Sequence, residues 1–166
     1  MKSAVALSLL LTAGIAHAEE TSRFALGAGV ATLNKGPSDL SGLGFHVGGQ
    51  MSYHFNFIGP VLNLDVDRFG TNDPFLTSTT FVSMGGGVRA YLARAKLPFA
   101  LYLDLEGAVA GSTNPVGGSS SFLGAAAGGG VEWLSGLNFA LAARYVYLDN
   151  GPQMTTFSLV LALGSP

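Results

Sequence analysis

The chain has 166 residues, of which 48% are hydrophobic and only 11% charged, with a formal net charge of −2. A soluble domain carries roughly 25% charged residues and nucleic-acid binding favours a basic patch, so this balance fits neither. The hydrophobic content argues against disorder, and the absence of cysteine excludes disulfides and a lipid anchor on a cysteine.

The first twenty residues, "MKSAVALSLLLTAGIAHAEE", hold Lys2, an apolar stretch from Ala4 to Ile15, and "AHA" before Glu19. A charged start, a short apolar segment and a small-x-small site form the pattern of a secretory signal peptide. A membrane helix needs about 20 apolar residues, more than this stretch offers. Residues 1–18 are therefore expected to be a cleaved signal peptide, and residues 19–166 one barrel domain. Removing Lys2 leaves seven basic residues against ten acidic ones, a formal −3.

Beyond the signal the sequence alternates. Eight segments are predicted as strands, over 22–33, 43–55, 60–70, 79–92, 99–111, 122–134, 138–148 and 155–164. The second places Leu43, Phe45, Val47, Gly49, Met51, Tyr53 and Phe55 on one face and Gly44, His46, Gly48, Gln50, Ser52 and His54 on the other. The fifth sets Phe99, Leu101, Leu103, Leu105 and Val109 against Ala100, Tyr102, Asp104, Glu106, Ala108 and Ala110. A period of two is the strand signal, because successive side chains point to opposite faces. Connections alternate between long polar ones ("NKGPSDLSG", "TNDPFLTS", "STNPVGGSSS", "DNGPQM") and short ones ("NFIG", "ARAKLP", "LSG"). Each segment reaches about ten residues, whereas soluble strands usually run about five or six. A strand crossing a bilayer at about 45° needs roughly nine to eleven.

Two glycine triplets, Gly85–Gly87 and Gly128–Gly130, fall inside the fourth and sixth segments. "GGGVRA" fits the glycine spacing of a dinucleotide loop, but such a loop needs a helix after it, and the sequence that follows alternates as a strand. The pairs Gly48/Gln50, Gly87/Arg89 and Gly130/Glu132 repeat a Gly-x-polar pattern on one face, with glycine expected to make room for the long side chain two residues on. The lumen-facing polar network is predicted to comprise Arg23, Gln50, Asp65, Asp67, Arg89, Tyr102, Asp104, Glu106, Glu132 and Arg144, joined by His46 and Asn63. In an approximate register Arg89 sits across from Tyr102 and diagonal to Asp104. Buried charges must be paired, so a polar plug is the expected arrangement.

A soluble lipocalin-like barrel also alternates but turns its apolar face inward. Here the polar face is rich in Gly, Ala and Ser, which suits a narrow interior. Lys35 and Lys96 are both expected in connections. Tyr53, Phe55, Phe57, Phe99, Trp133 and Phe139 gather at the short-turn end, and Phe45, Tyr145, Tyr147 and Phe157 at the other. Among these, Tyr53, Phe55, Phe99, Trp133, Phe139, Tyr145 and Tyr147 are the predicted aromatic girdle, whose rings sit at headgroup level. The apolar face is therefore expected to point outward.

Signal peptide, eight long alternating strands, short turns alternating with polar loops and no cysteine resemble the small outer-membrane β-barrel family of the OmpA/OmpX type, over the whole mature chain. "TTFSLVLALGSP" sets Phe157, Leu159, Leu161 and Leu163 outward, similar to the family's assembly signal, but ends Gly-Ser-Pro where the family commonly ends on an aromatic. The resemblance implies an all-β, eight-stranded antiparallel up-and-down transmembrane barrel in the outer membrane of a Gram-negative-type envelope. It also implies contact with outer-membrane lipid and lipopolysaccharide and recognition by the barrel-assembly machinery, while the periplasmic domain of longer OmpA-type proteins is expected to have no counterpart after the eighth strand. The expected role is structural or interactive at the surface. A narrow ion or small-solute channel and a soluble ligand-binding barrel are the alternatives. No cofactor, metal or catalytic residue is predicted. Barrel enzymes that modify lipid A need a Ser or His with an acid at the lipid face or in the loops, and His46 and His54 both fall on the interior face. Spaced about 27 Å apart at ~3.4 Å per residue, they are too far apart to share an ion.

Overall fold

Strands that alternate large aliphatic and small or polar side chains can cover two different environments with one sheet, provided the sheet has no open edge in hydrocarbon. The computed structural model, which describes residues 20–36, 40–55, 57–71, 78–93, 99–113, 119–133 and 138–163, meets that condition. Its eight strands are β1 (Glu20–Lys35), β2 (Leu40–Phe55), β3 (Ile58–Thr71), β4 (Thr79–Ala93), β5 (Phe99–Thr113), β6 (Ser119–Trp133), β7 (Phe139–Leu148) and β8 (Gln153–Leu163). Each pairs antiparallel with the next, and β8 returns to β1, so the sheet is a closed barrel. The expected signal peptide over 1–18 lies outside the described residues, as does the Gly-Ser-Pro end.

Seven of the eight strands run further than the sequence pattern predicts, β7 being the exception, and the excess lies mostly at the long-connection end. β5 and β6 pair out to Thr113 opposite Ser119, through serines and threonines that were expected in a loop. β1 ends on Lys35, which was expected in a connection and is instead paired with Gln153 beyond a bulge. Threonine and serine lengthen a ladder readily once flanking rows have set the register. β1 and β2 each reach 16 residues, more than the roughly nine to eleven needed to cross hydrocarbon, so their ends stand clear of it.

That excess inverts the polarity of the wall. In the middle of the barrel, Leu62, Leu64 and Val66 point outward and Asn63, Asp65 and Asp67 inward. Two residues later Arg68 is outward, donating to Ser78 Oγ at 3.0 Å, and Phe69 is fully buried inside. The same exchange occurs at Asn34 and Leu33, Tyr147 and Leu148, and Gln153 and Met154. Phe69, Phe81, Val146, Leu148, Met154 and Leu40 consequently pack into an apolar cluster inside the long-connection end. A polar plug was expected in the lumen, and no apolar cluster beside it. Once the outer wall leaves hydrocarbon it is best hydrated, and the enclosed face gains by burying apolar area.

Candidate functional site

The lumen below the apolar cluster holds two layers of charge. In the upper layer, His46 Nδ1 lies 2.7 Å from Asp67 Oδ1, and His46 Nε2 is 3.8 Å from Asp65 Oδ1. Arg144 bridges two strands: Nη1 donates to Asp65 Oδ2 at 2.6 Å, while Nε and Nη2 donate to Glu106 Oε1 and Oε2 at 3.2 and 2.9 Å. Asn63 Nδ2 adds a bond to Glu106 Oε1 at 2.7 Å, and Gln50 Nε2 donates to Asn63 Oδ1 at 2.7 Å. β2, β3, β5 and β7 thus share one hydrogen-bonded network.

In the lower layer, nearer the short turns, Arg89 and Asp104 form a two-pronged pair, and the guanidinium sits 3.8 Å over the Tyr102 ring. Arg23 Nη1 donates to Glu132 Oε1, and Tyr91 OH donates to Glu132 Oε2 at 3.0 Å. Each of the predicted polar-network residues therefore points into the lumen and has a partner there. The expected register is corrected by two residues: Arg89 faces Asp104 directly, and Tyr102 faces Tyr91. A bulge between Tyr91 and Ala93 takes up part of the connection, and a two-residue slip keeps every side chain on its own face.

The glycines make room across strands rather than along them, which corrects the expected role of the Gly-x-polar pattern. A Cβ on Gly85 would run into the Glu106–Arg144 pair, and one on Gly130 would lie 2.7 Å from the Tyr102 hydroxyl. On Gly48 it would meet Asp65 Oδ1. Outward-facing Gly86 is unconstrained, with only Leu62 Cδ1 at 3.8 Å. A cavity of about 50 Å³ lies in the middle of the lumen among His46, Gln50, Asn63, Asp65, Tyr102 and Arg144. That volume holds a few waters.

The outer wall is the reverse of a soluble surface. Phe24, Leu26, Phe45, Met51, Leu64, Met84, Leu105, Leu123 and Leu159 are all exposed, with Leu105 and Leu123 at 70%. Soluble monomers rarely expose apolar patches beyond a few hundred Å². At the short-turn end, Tyr53 and Phe55 meet edge-on at 4.8 Å, and Trp133 stacks on Phe139 at 4.8 Å with Phe99 paired beside it. At the other end Tyr145, Tyr147, Phe45 and Phe157 are exposed on the same outer face. The inside-out arrangement excludes the lipocalin-like barrel.

No family model matches the sequence, and no curated protein matches it. Solved structures do. Neisserial surface protein A superposes with a TM-score of 0.62 at 15% identity, covering 89% of this chain and 98% of that one. The outer membrane protein OprG from Pseudomonas aeruginosa gives 0.60 at 12% identity, covering 87% and 97%. The fold is that of the small eight-stranded outer-membrane barrels. The outer membrane enzyme PagL matches as well, with a TM-score of 0.57 at 14% identity over 84% of this chain and 98% of that one. The likeness thus extends across barrels with and without an activity in their names, and at these identities it concerns the fold. Sequence reasoning missed the apolar cluster around Phe69 and Phe81. Its signal was available in the phase inversion at Arg68 and Phe69.

Proposed function

We propose that this chain is an integral protein of the bacterial outer membrane with a structural or surface-interaction role, a lumen filled by side chains, and no enzymatic activity. The observation that carries the reading is the pairing of a closed barrel whose outer wall exposes aliphatic residues with an interior where Arg23, Arg89 and Arg144 are matched to carboxylates. Eight strands leave an interior just wide enough for side chains. The apolar cluster above the charges supports a non-conducting barrel, since such constrictions exclude ions by dewetting. His46 is engaged by Asp67 inside the wall, away from any lipid substrate. Residues 1–18 serve as the export signal in this reading, and the aromatic rings at both ends as the headgroup girdle. The assembly machinery and outer-leaflet lipopolysaccharide are the implied partners.

Cell fractionation tests the reading. The protein is expected in outer membranes, beginning at or near Glu19, and migrating differently on gels before and after boiling. Recovery as a soluble periplasmic monomer would overturn it.

A further inference from the structure

The two charged layers of the lumen do not balance alike. The lower one sets Arg23 and Arg89 against Glu132 and Asp104, cation for anion. The upper one sets Asp65, Asp67 and Glu106 against Arg144 and His46. Even with His46 counted as a cation, three carboxylates there face two positive groups among the described residues. One negative charge is left over. Phe69 and Phe81, the latter directly across from Asp67, close this layer from above, and Asp65 and Asp67 are both buried. A buried charge without a counter-charge is costly in such a place.

The same layer holds unpartnered oxygens. Asp67 uses Oδ1 for His46, but its Oδ2 has no partner, although the side chain is only 1% exposed. Ser83 Oγ, on the neighbouring strand and equally buried, has none either. Ser83 stands directly across from Asp65, one inward position along from Asp67. Asp65 spends Oδ2 on Arg144, while its Oδ1 lies 3.8 Å from His46 Nε2. Buried oxygens left in this way call for a water or an ion. A water would complete the hydrogen bonds and leave the charge of the layer as it is.

We propose that one small monovalent cation, of sodium's chemistry, binds between β3 and β4, with Asp67 Oδ2 and Ser83 Oγ as ligands and Asp65 beside it. Hard cations take carboxylate and neutral oxygens together, and the excess to be matched is a single charge. Among the described residues no three His, Cys, Asp or Glu side chains are placed to chelate a metal, so a divalent ion would lack ligands. Water in the cavity against Asp65, Gln50 and Asn63 fills the rest of the shell. The ion neutralises the layer beneath the apolar cluster and stays inside a barrel that does not conduct.

The site goes beyond the structural or surface role proposed above, but it depends on the closed lumen. The full chain is refolded into phosphatidylcholine vesicles, whose headgroups carry no net charge. Urea unfolding is followed at fixed ionic strength while Na⁺ is exchanged for N-methylglucammonium, a cation too bulky for the lumen. Above half-saturation, each tenfold rise in Na⁺ is expected to raise the folded-to-unfolded ratio about tenfold, as one bound ion requires. Ser83→Ala keeps the charge, removes one ligand, and should move half-saturation to about tenfold higher Na⁺. Asp67→Asn removes the excess charge, retains an acceptor for His46, and should abolish the dependence; if it does not refold, Ser83→Ala still decides. Wild-type unfolding indifferent to Na⁺ would overturn the site, as would stability that follows pH alone, which assigns the excess to a proton. An unaltered Na⁺ dependence in Ser83→Ala and in any Asp67→Asn that refolds would place the ion elsewhere and overturn it too. Steady wild-type conductance in planar bilayers would defeat the closed lumen and this site together, whereas a silent barrel without Na⁺ dependence defeats the site alone.

Discussion

Arg89 and Asp104 face each other across β4 and β5, with Nε to Oδ1 at 2.7 Å and Nη2 to Oδ2 at 2.6 Å, both side chains buried. Two parallel bonds of this kind hold the guanidinium plane in register with the carboxylate. Arg89→Ala leaves Asp104 buried without its cation and is expected to cost about 3–5 kcal/mol of refolding stability. Arg89→Ala with Asp104→Ala should recover part of that loss. The check is a double-mutant cycle by urea unfolding in lipid vesicles; additive losses would show that the pair is not coupled.

How far the sequence discloses this pair depends on which feature is asked for. Face assignment follows from a period of two, and a slip of one residue would expose Arg89 and Asp104 to lipid, so the face was legible. Register was not, because a slip of two costs nothing in patterning and is decided by the bulge at Ala93. The apolar cluster was hidden for another reason. Reading one polarity rule along a whole strand assumes one solvent outside, and Arg68 and Phe69 lie where that solvent changes. Partner choice within the lumen, such as Arg144 reaching both Asp65 and Glu106, depends on barrel closure and has no local signal.

The outward aliphatic wall predicts a depth-dependent response to charge. Leu105 lies mid-strand and Thr113 at the end of the same outward row of β5. Leu105→Arg is expected to cost about 2–4 kcal/mol and Thr113→Arg about 0–1 kcal/mol, because the penalty falls towards the interface. Refolding stability in vesicles measures both. Equal, small effects would mean that Leu105 faces water.

Neighbouring glycines should respond in opposite senses. Gly85→Ala drives a methyl group into the Glu106–Arg144 pair and is expected to cost about 1–3 kcal/mol, the range for an overpacked interior. Gly86→Ala meets only Leu62 at 3.8 Å and should be neutral or gain up to about 1 kcal/mol by restricting the unfolded chain. Unfolding midpoints of the two variants decide the matter. A tolerated Gly85→Ala would remove the explanation for the first glycine triplet.

The apolar cluster predicts how the barrel conducts. Phe69 is fully buried and meets Phe81 edge-on at 5.9 Å, above the layer where His46, Asp65 and Asp67 converge. An ion crossing here would shed its water among aromatic and aliphatic side chains before reaching a carboxylate. Wild-type protein in planar bilayers is therefore expected to be electrically silent. Phe69→Ala should cost about 3–5 kcal/mol of refolding stability, the usual range for emptying a buried phenylalanine site. Adding Phe81→Ala opens the constriction to water, and brief conductance steps are expected from the fraction that refolds, identified by its shifted migration before boiling. Two results would defeat the model. Steady conductance in wild type would mean the cluster does not close the lumen. A silent, fully refolded double variant would mean the charged layers below seal the barrel unaided.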